Sequence, residues 1–100
     1  MEILIVAGTV VATQKSASLQ GYKLLLVVDP DSGPDGQPIV ALDTVGAGEG
    51  ERVLVVRGSS ARLAANLERV PVDAAIVGIV DQIDRDSREI FRKSGEIMES

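Results

Sequence analysis

Glycine occupies every second position at Gly46, Gly48 and Gly50, and the chain then runs directly into Arg52-Val53-Leu54-Val55-Val56-Arg57. That β-branched run breaks at once on Gly58-Ser59-Ser60, so the order reads as loop, strand, loop. Glycine-rich loops that hold phosphates follow a strand and open a helix, so that the helix N-terminus faces the anion. Here the loop feeds a strand, and Glu49 and Glu51 add negative charge where an anion would sit. Nucleotide binding is disfavoured. The three glycines instead suit tight turns or close contact with a neighbouring chain. Gly48 is expected where a side chain cannot be accommodated, through a positive φ or an adjacent backbone.

The remaining strands follow from short apolar, β-branched runs between turn formers. Ile3 to Ala12 predicts a strand in which Gly8 marks a bulge or a close backbone approach. Tyr22 to Asp29 predicts a buried strand stopped by Pro30. Asp29 to Gly36 concentrates turn residues, with Asp35-Gly36 a hairpin signal leading into Pro38 to Leu42. Its alternating aspartates lack the pattern of a calcium loop, because Gly33 stands where an acidic or amide ligand is required. Ser59 or Ser60 can cap one short helix from Ala61 to Glu68, ended by Pro71. Ala74 to Val80 resumes strand character, and Asp84 to Ser87 reads as a turn. Beyond it Glu89 to Lys93 suits a last strand, whereas Ile83, Ile90, Ile97 and Met98 also fit a helical stripe.

Short strands, turns and one helix in 100 residues predict a single, mainly β domain: a small OB-like β-barrel. The core must be aliphatic, since 45% of residues are hydrophobic but only Tyr22 and Phe91 are aromatic. A core of that size is marginal, so association with copies of itself is expected. The apolar runs are too short to span a bilayer, and a cytoplasmic, membrane-free location is expected. A formal net charge of −5 with no basic run opposes nucleic acid.

Cysteine and histidine are both absent, which removes thiolate nucleophiles, common zinc sites and the commonest general base. Ser59 and Ser60 beside Arg62 would need a lysine in contact to act as nucleophiles, and nothing brings Lys15, Lys23 or Lys93 there. Asp73, Asp81, Asp84 and Asp86 flank turns and suit solubility better than acid–base work. No catalytic residue, cofactor or metal is assigned.

Three segments in order carry a resemblance. They are Gly8-Thr9-Val10-Val11-Ala12-Thr13-Gln14-Lys15 with Ser18 to Leu25, Asp43 to Gly48 through Gly58 to Arg62, and Pro71 to Asp81. Together they resemble the EutN/CcmL family, the pentameric vertex proteins of bacterial microcompartment and carboxysome shells. The resemblance runs from about Ile3 to Asp81, so residues 1–83 are expected to form the core barrel and 84–100 a variable extension. It implies a homopentamer, a tapered disc closing the corners of a polyhedral cytoplasmic shell otherwise tiled by hexameric shell proteins. Gly46, Ala47, Gly48, Glu49 and Gly50, with Gly58, Ser59, Ser60, Ala61 and Arg62, become candidates for subunit contacts and a central pore. The competing class is a small OB-like module for an anionic ligand or nucleic acid, which the negative charge and missing aromatics oppose.

Overall fold

The computed structural model describes residues 1–12, 19, 21–32, 36–59, 61 and 73–93. Among these lie seven strands: β1 Glu2–Val10, β2 Lys23–Val28, β3 Ile39–Asp43, β4 Arg52–Arg57, β5 Ala74–Ile79, β6 Gln82–Arg85 and β7 Arg88–Arg92. The first five close into a barrel in the order β1-β2-β3-β5-β4, and β6 and β7 form a separate two-stranded sheet. Within the barrel β3 and β5 run parallel and every other pairing is antiparallel. This is the mainly β, OB-like barrel that the sequence predicts.

Alternation builds the interior. On β2, Leu25 and Val27 are buried while Leu24, Leu26 and Val28 between them are half-buried and point outward. Leu4 and Val6 from β1, Val53 and Val55 from β4 and Ile76 from β5 meet them inside. A second cluster of Val56, Ala61 and Ala75 packs outside the barrel wall. The expected irregularity near Gly8 is present: Val6 pairs with Val27 and Gly8 with Leu26, which leaves Ala7 as the extra residue of a bulge. Bulges bend a strand and raise its twist, which helps a sheet of five short strands close on itself.

The tail resolves the helix-or-strand ambiguity in favour of the strand β7, because Ile83 pairs with Phe91 and Arg85 with Arg88. The turn expected over Asp84 to Ser87 is shorter: Asp84 and Arg85 belong to β6, and only Asp86 and Ser87 make the reversal, with φ of 54° and 63°. An aspartate tolerates that left-handed region better than most side chains, so the turn forms without glycine. The helix expected from Ala61 to Glu68 lies outside the described residues beyond Ala61.

Strand directions fix the two ends of the barrel. Ile5 pairs with Arg52 and Glu2 with Val55, so β4 descends from the glycine loop towards Gly58 while β1 ascends. The glycine loop, the start of β2 and the base of the β6–β7 hairpin therefore share one end. Gly58, Ser59 and the turn at Asp29 share the other. Five peptide steps of β4 separate the two loops, roughly 16 Å at the usual strand rise.

Candidate functional site

The glycine loop is organised by two carboxylates. Asp43, the last residue of β3, is 9% exposed and aims its side chain back over the residues that follow. Its Oδ1 accepts the backbone N–H groups of Val45 and Gly46, both at 3.1 Å, and that of Ala47 at 3.3 Å. Oδ2 accepts Ala47 N–H as well, at 3.0 Å. The next amide, Gly48 N–H, donates to Glu51 Oε1 at 2.7 Å. Four consecutive backbone donors are thus consumed by the loop's own acids. An exogenous anion would have to displace one of them, so the nest geometry is filled from within.

Further bonds tie this loop to its surroundings. Lys23 Nζ donates to Ala47 O at 3.1 Å, and Thr44 Oγ1 donates to Ile76 O at 2.7 Å. Gly50 N–H donates to Val6 O and Val6 N–H to Glu51 O, which staples the loop across the bulge in β1. Lys93 Nζ lies 2.7 Å from Glu51 Oε2 and 3.9 Å from Asp81, so the base of the hairpin is fastened to the same loop. The Lys93 contact, reinforced by Gly48 N–H, holds the Glu51 carboxyl below its ordinary value of 4.5.

The candidates from the sequence divide on this geometry. Gly46, Glu49 and Gly50 are exposed and Gly48 is half-buried. Gly46 and Gly50 have φ of 80° and 86°, which favours glycine. Gly48 does not fit its expectation: its φ is not positive, and a Cβ there would meet only Glu51 Oε1 at 3.7 Å, an ordinary contact. Within one chain, its alternation with the other two glycines imitates a conformational need that it does not have. Ala47 is fully buried in the core, and so is Ala61 beneath the second loop. In the single chain both methyl groups face inward and anchor their own loops.

At the opposite end Gly58 has φ of 65°; its N–H donates to Asp73 O and its carbonyl accepts Ala61 N–H. Ser59 is exposed, while Ser60 and Arg62 lie outside the described residues. The two loops do not form one site. Sequence reasoning missed Asp43 and under-read Glu51; an aspartate placed immediately before a glycine-rich turn is the signal for such a backbone cap.

Comparison with known proteins places this geometry. Residues 1–81 match the model of the family described as ethanolamine utilisation protein EutN/carboxysome. The bacterial microcompartment shell vertex protein EutN of Escherichia coli K12 is 46% identical over 95 residues, covering 93% of this chain and all of that protein. The structure of CcmL from Gloeobacter violaceus superimposes with a TM-score of 0.84 at 45% identity, over 94% of this chain and 99% of that one. GrpN from Rhodospirillum rubrum, a pentameric microcompartment shell protein, gives a TM-score of 0.71 at 48% identity over 85% of this chain and 98% of that one.

Proposed function

This chain belongs to the EutN/CcmL family, and from that premise we propose that five copies close into a ring that forms a vertex of a bacterial microcompartment shell. The observation that carries the reading is the match over residues 1–81 together with close similarity to a pentameric shell protein. The glycine loop supports it from the chemical side, since its amides are committed to Asp43 and Glu51. The loop is a rigid edge, not a ligand cradle. The relatives lend no support to a ligand- or nucleic-acid-binding module.

The ring meets hexameric shell proteins through its rim, by complementary shape and charge. It performs no chemistry of its own: with neither histidine nor cysteine, the chain lacks the usual agents of proton transfer and nucleophile activation. Gly46, Glu49 and Gly50 at one end of the barrel, and Ser59 at the other, are the surfaces these loops offer to neighbours or to the five-fold axis. Because the loops stand at opposite ends, only one of them borders the narrowest part of a central opening.

Native mass spectrometry of the purified chain should give a particle of five 10.5 kDa subunits. Co-expression with cognate hexamers should yield closed shells, and omitting this chain should leave open corners or elongated bodies. A monomer at every micromolar concentration, or shells that close equally well without the chain, would refute the reading.

A further inference from the structure

Among the described residues the β6–β7 hairpin is a sheet apart from the barrel, and none of the residues of β6 is buried. Isolated two-stranded hairpins are marginal in water, so the position of this one depends on what its base touches. The Phe91 ring lies under Arg52, whose guanidinium carbon is 4.5 Å from the ring centre. Two residues on, Lys93 Nζ reaches Glu51 Oε2 at 2.7 Å, while Lys93 N–H donates to Asp81 O. Both side chains thus meet consecutive residues, Glu51 and Arg52, where the glycine loop becomes β4.

The loop itself is not held uniformly. Ala47 is buried and gripped by Asp43, and Gly50 N–H donates to Val6 O. Between these anchors Gly48 and Glu49 form the tip. Gly48 N–H donates to Glu51 Oε1 at 2.7 Å, and Gly48 O accepts Glu51 N–H at 3.2 Å. One carboxylate therefore takes a loop amide on one oxygen and the hairpin ammonium on the other. Asp43, Glu49 and Glu51 share this short stretch of chain, and Asp81 lies 3.9 Å from the same ammonium. Lys93 offsets that local excess of negative charge; without it Glu51 stands among like charges, which favours its turning out to water.

We infer that the hairpin is a strap that sets the tip of the glycine loop. With the hairpin down, Glu51 is clamped and the tip is closed; lifting the hairpin frees Glu51, opens the tip and exposes Gly48 N–H, while Asp43 keeps Ala47 in place. A neighbouring protein that pulls on the hairpin alters the loop without touching it, and a change at the loop loosens the hairpin by the same coupling. The strap belongs to the single chain and stands whether or not five copies form a ring.

The test is residue-resolved amide hydrogen exchange on the full chain, which reads local opening directly. Native mass spectrometry of wild type reports on the ring separately, so the strap and the vertex reading fail on different measurements. Lys93→Gln and Phe91→Ala should each quicken exchange at Gly48 by roughly two- to fivefold, the change that contacts of this strength support, with Ala47 unchanged. Lys93→Arg, which keeps the charge, should exchange more slowly at Gly48 than Lys93→Gln does. In the other direction, Glu51→Gln should quicken the β6 and β7 amides. Arg57→Gln, which breaks the ion pair with Glu2 at the far end of the barrel, should leave Gly48 and the hairpin as they are. Phe91→Ala decides the matter because it does not touch the loop: a Gly48 amide that ignores it, or Ala47 and Gly48 quickening together as in global unfolding, overturns the inference.

Discussion

Asp43 holds Ala47 by both carboxylate oxygens, at 3.3 and 3.0 Å, and thereby turns the chain from β3 into the core. Ala47 is fully buried, so this bidentate grip sets where the loop enters and how Gly48 to Gly50 emerge. Asp43→Asn retains one acceptor and turns an amide donor towards a donor. Leaving buried backbone N–H groups unsatisfied costs about 1–3 kcal/mol. At fixed protein concentration, the Tm should fall by about 4–8 °C for each kcal/mol lost. An unchanged Tm by circular dichroism would show that the grip is incidental.

The glycines of the loop should separate by mutation. Gly50→Ala forces a methyl-bearing residue into φ of 86° and should destabilise the chain by about 1–2 kcal/mol. Gly48→Ala should be neutral for the folded chain, whose backbone there is unstrained and whose nearest atom is 3.7 Å away. Denaturant titration of both variants distinguishes the two; equal losses would contradict the backbone geometry.

Glu51 predicts an acid-dependent term. Its folded-state carboxyl lies below its ordinary value, chiefly through Lys93 and then Gly48 N–H, so the stabilisation is present above that ordinary value and lost as pH falls through the folded one. Wild type should exceed Glu51→Gln in Tm at pH 7, with the gap closing as pH drops below 4.5. The pair is partly solvated, so salt should narrow the gap at neutral pH. A gap that widens in acid would reverse the assignment.

Phe91→Ala removes the ring on which Arg52 rests. A contact of this kind contributes about 0.5–1 kcal/mol at an exposed site, enough to loosen the hairpin without touching the barrel core. Hydrogen exchange should quicken for the β6 and β7 amides and stay unchanged in β1 and β2. Uniform acceleration throughout would mean that the hairpin and barrel unfold together.

The barrel strands were legible because each has an inward face. Arg52 to Arg57 was predicted with its observed limits, and Ala74 to Val80 to within one residue, since each is an unbroken apolar, β-branched run that feeds the core. Of the hairpin, the second strand was legible as Glu89 to Lys93, one residue from its observed bounds, and the first was not. Of the four residues of β6 none is buried, so Gln82 to Arg85 carries no alternation, and Asp86-Ser87 reverses the chain without the glycine that announces such turns. The loop was recognised by its glycines, and the one sign of its organiser is an aspartate set just ahead of them; that four amides converge on Asp43 and Glu51 only the fold shows.

The opposed placement of the two loops gives the molecule sidedness. The glycine loop answers to Asp43, Glu51 and Lys93, whereas Gly58 answers to Asp73, and no hydrogen bond among the described residues links the two sets. A wall built with these barrels standing across it would present different chemistry to its interior and its exterior. Either surface could then be rewritten, to admit other solutes or greet other cargo, while the opposite one kept its character.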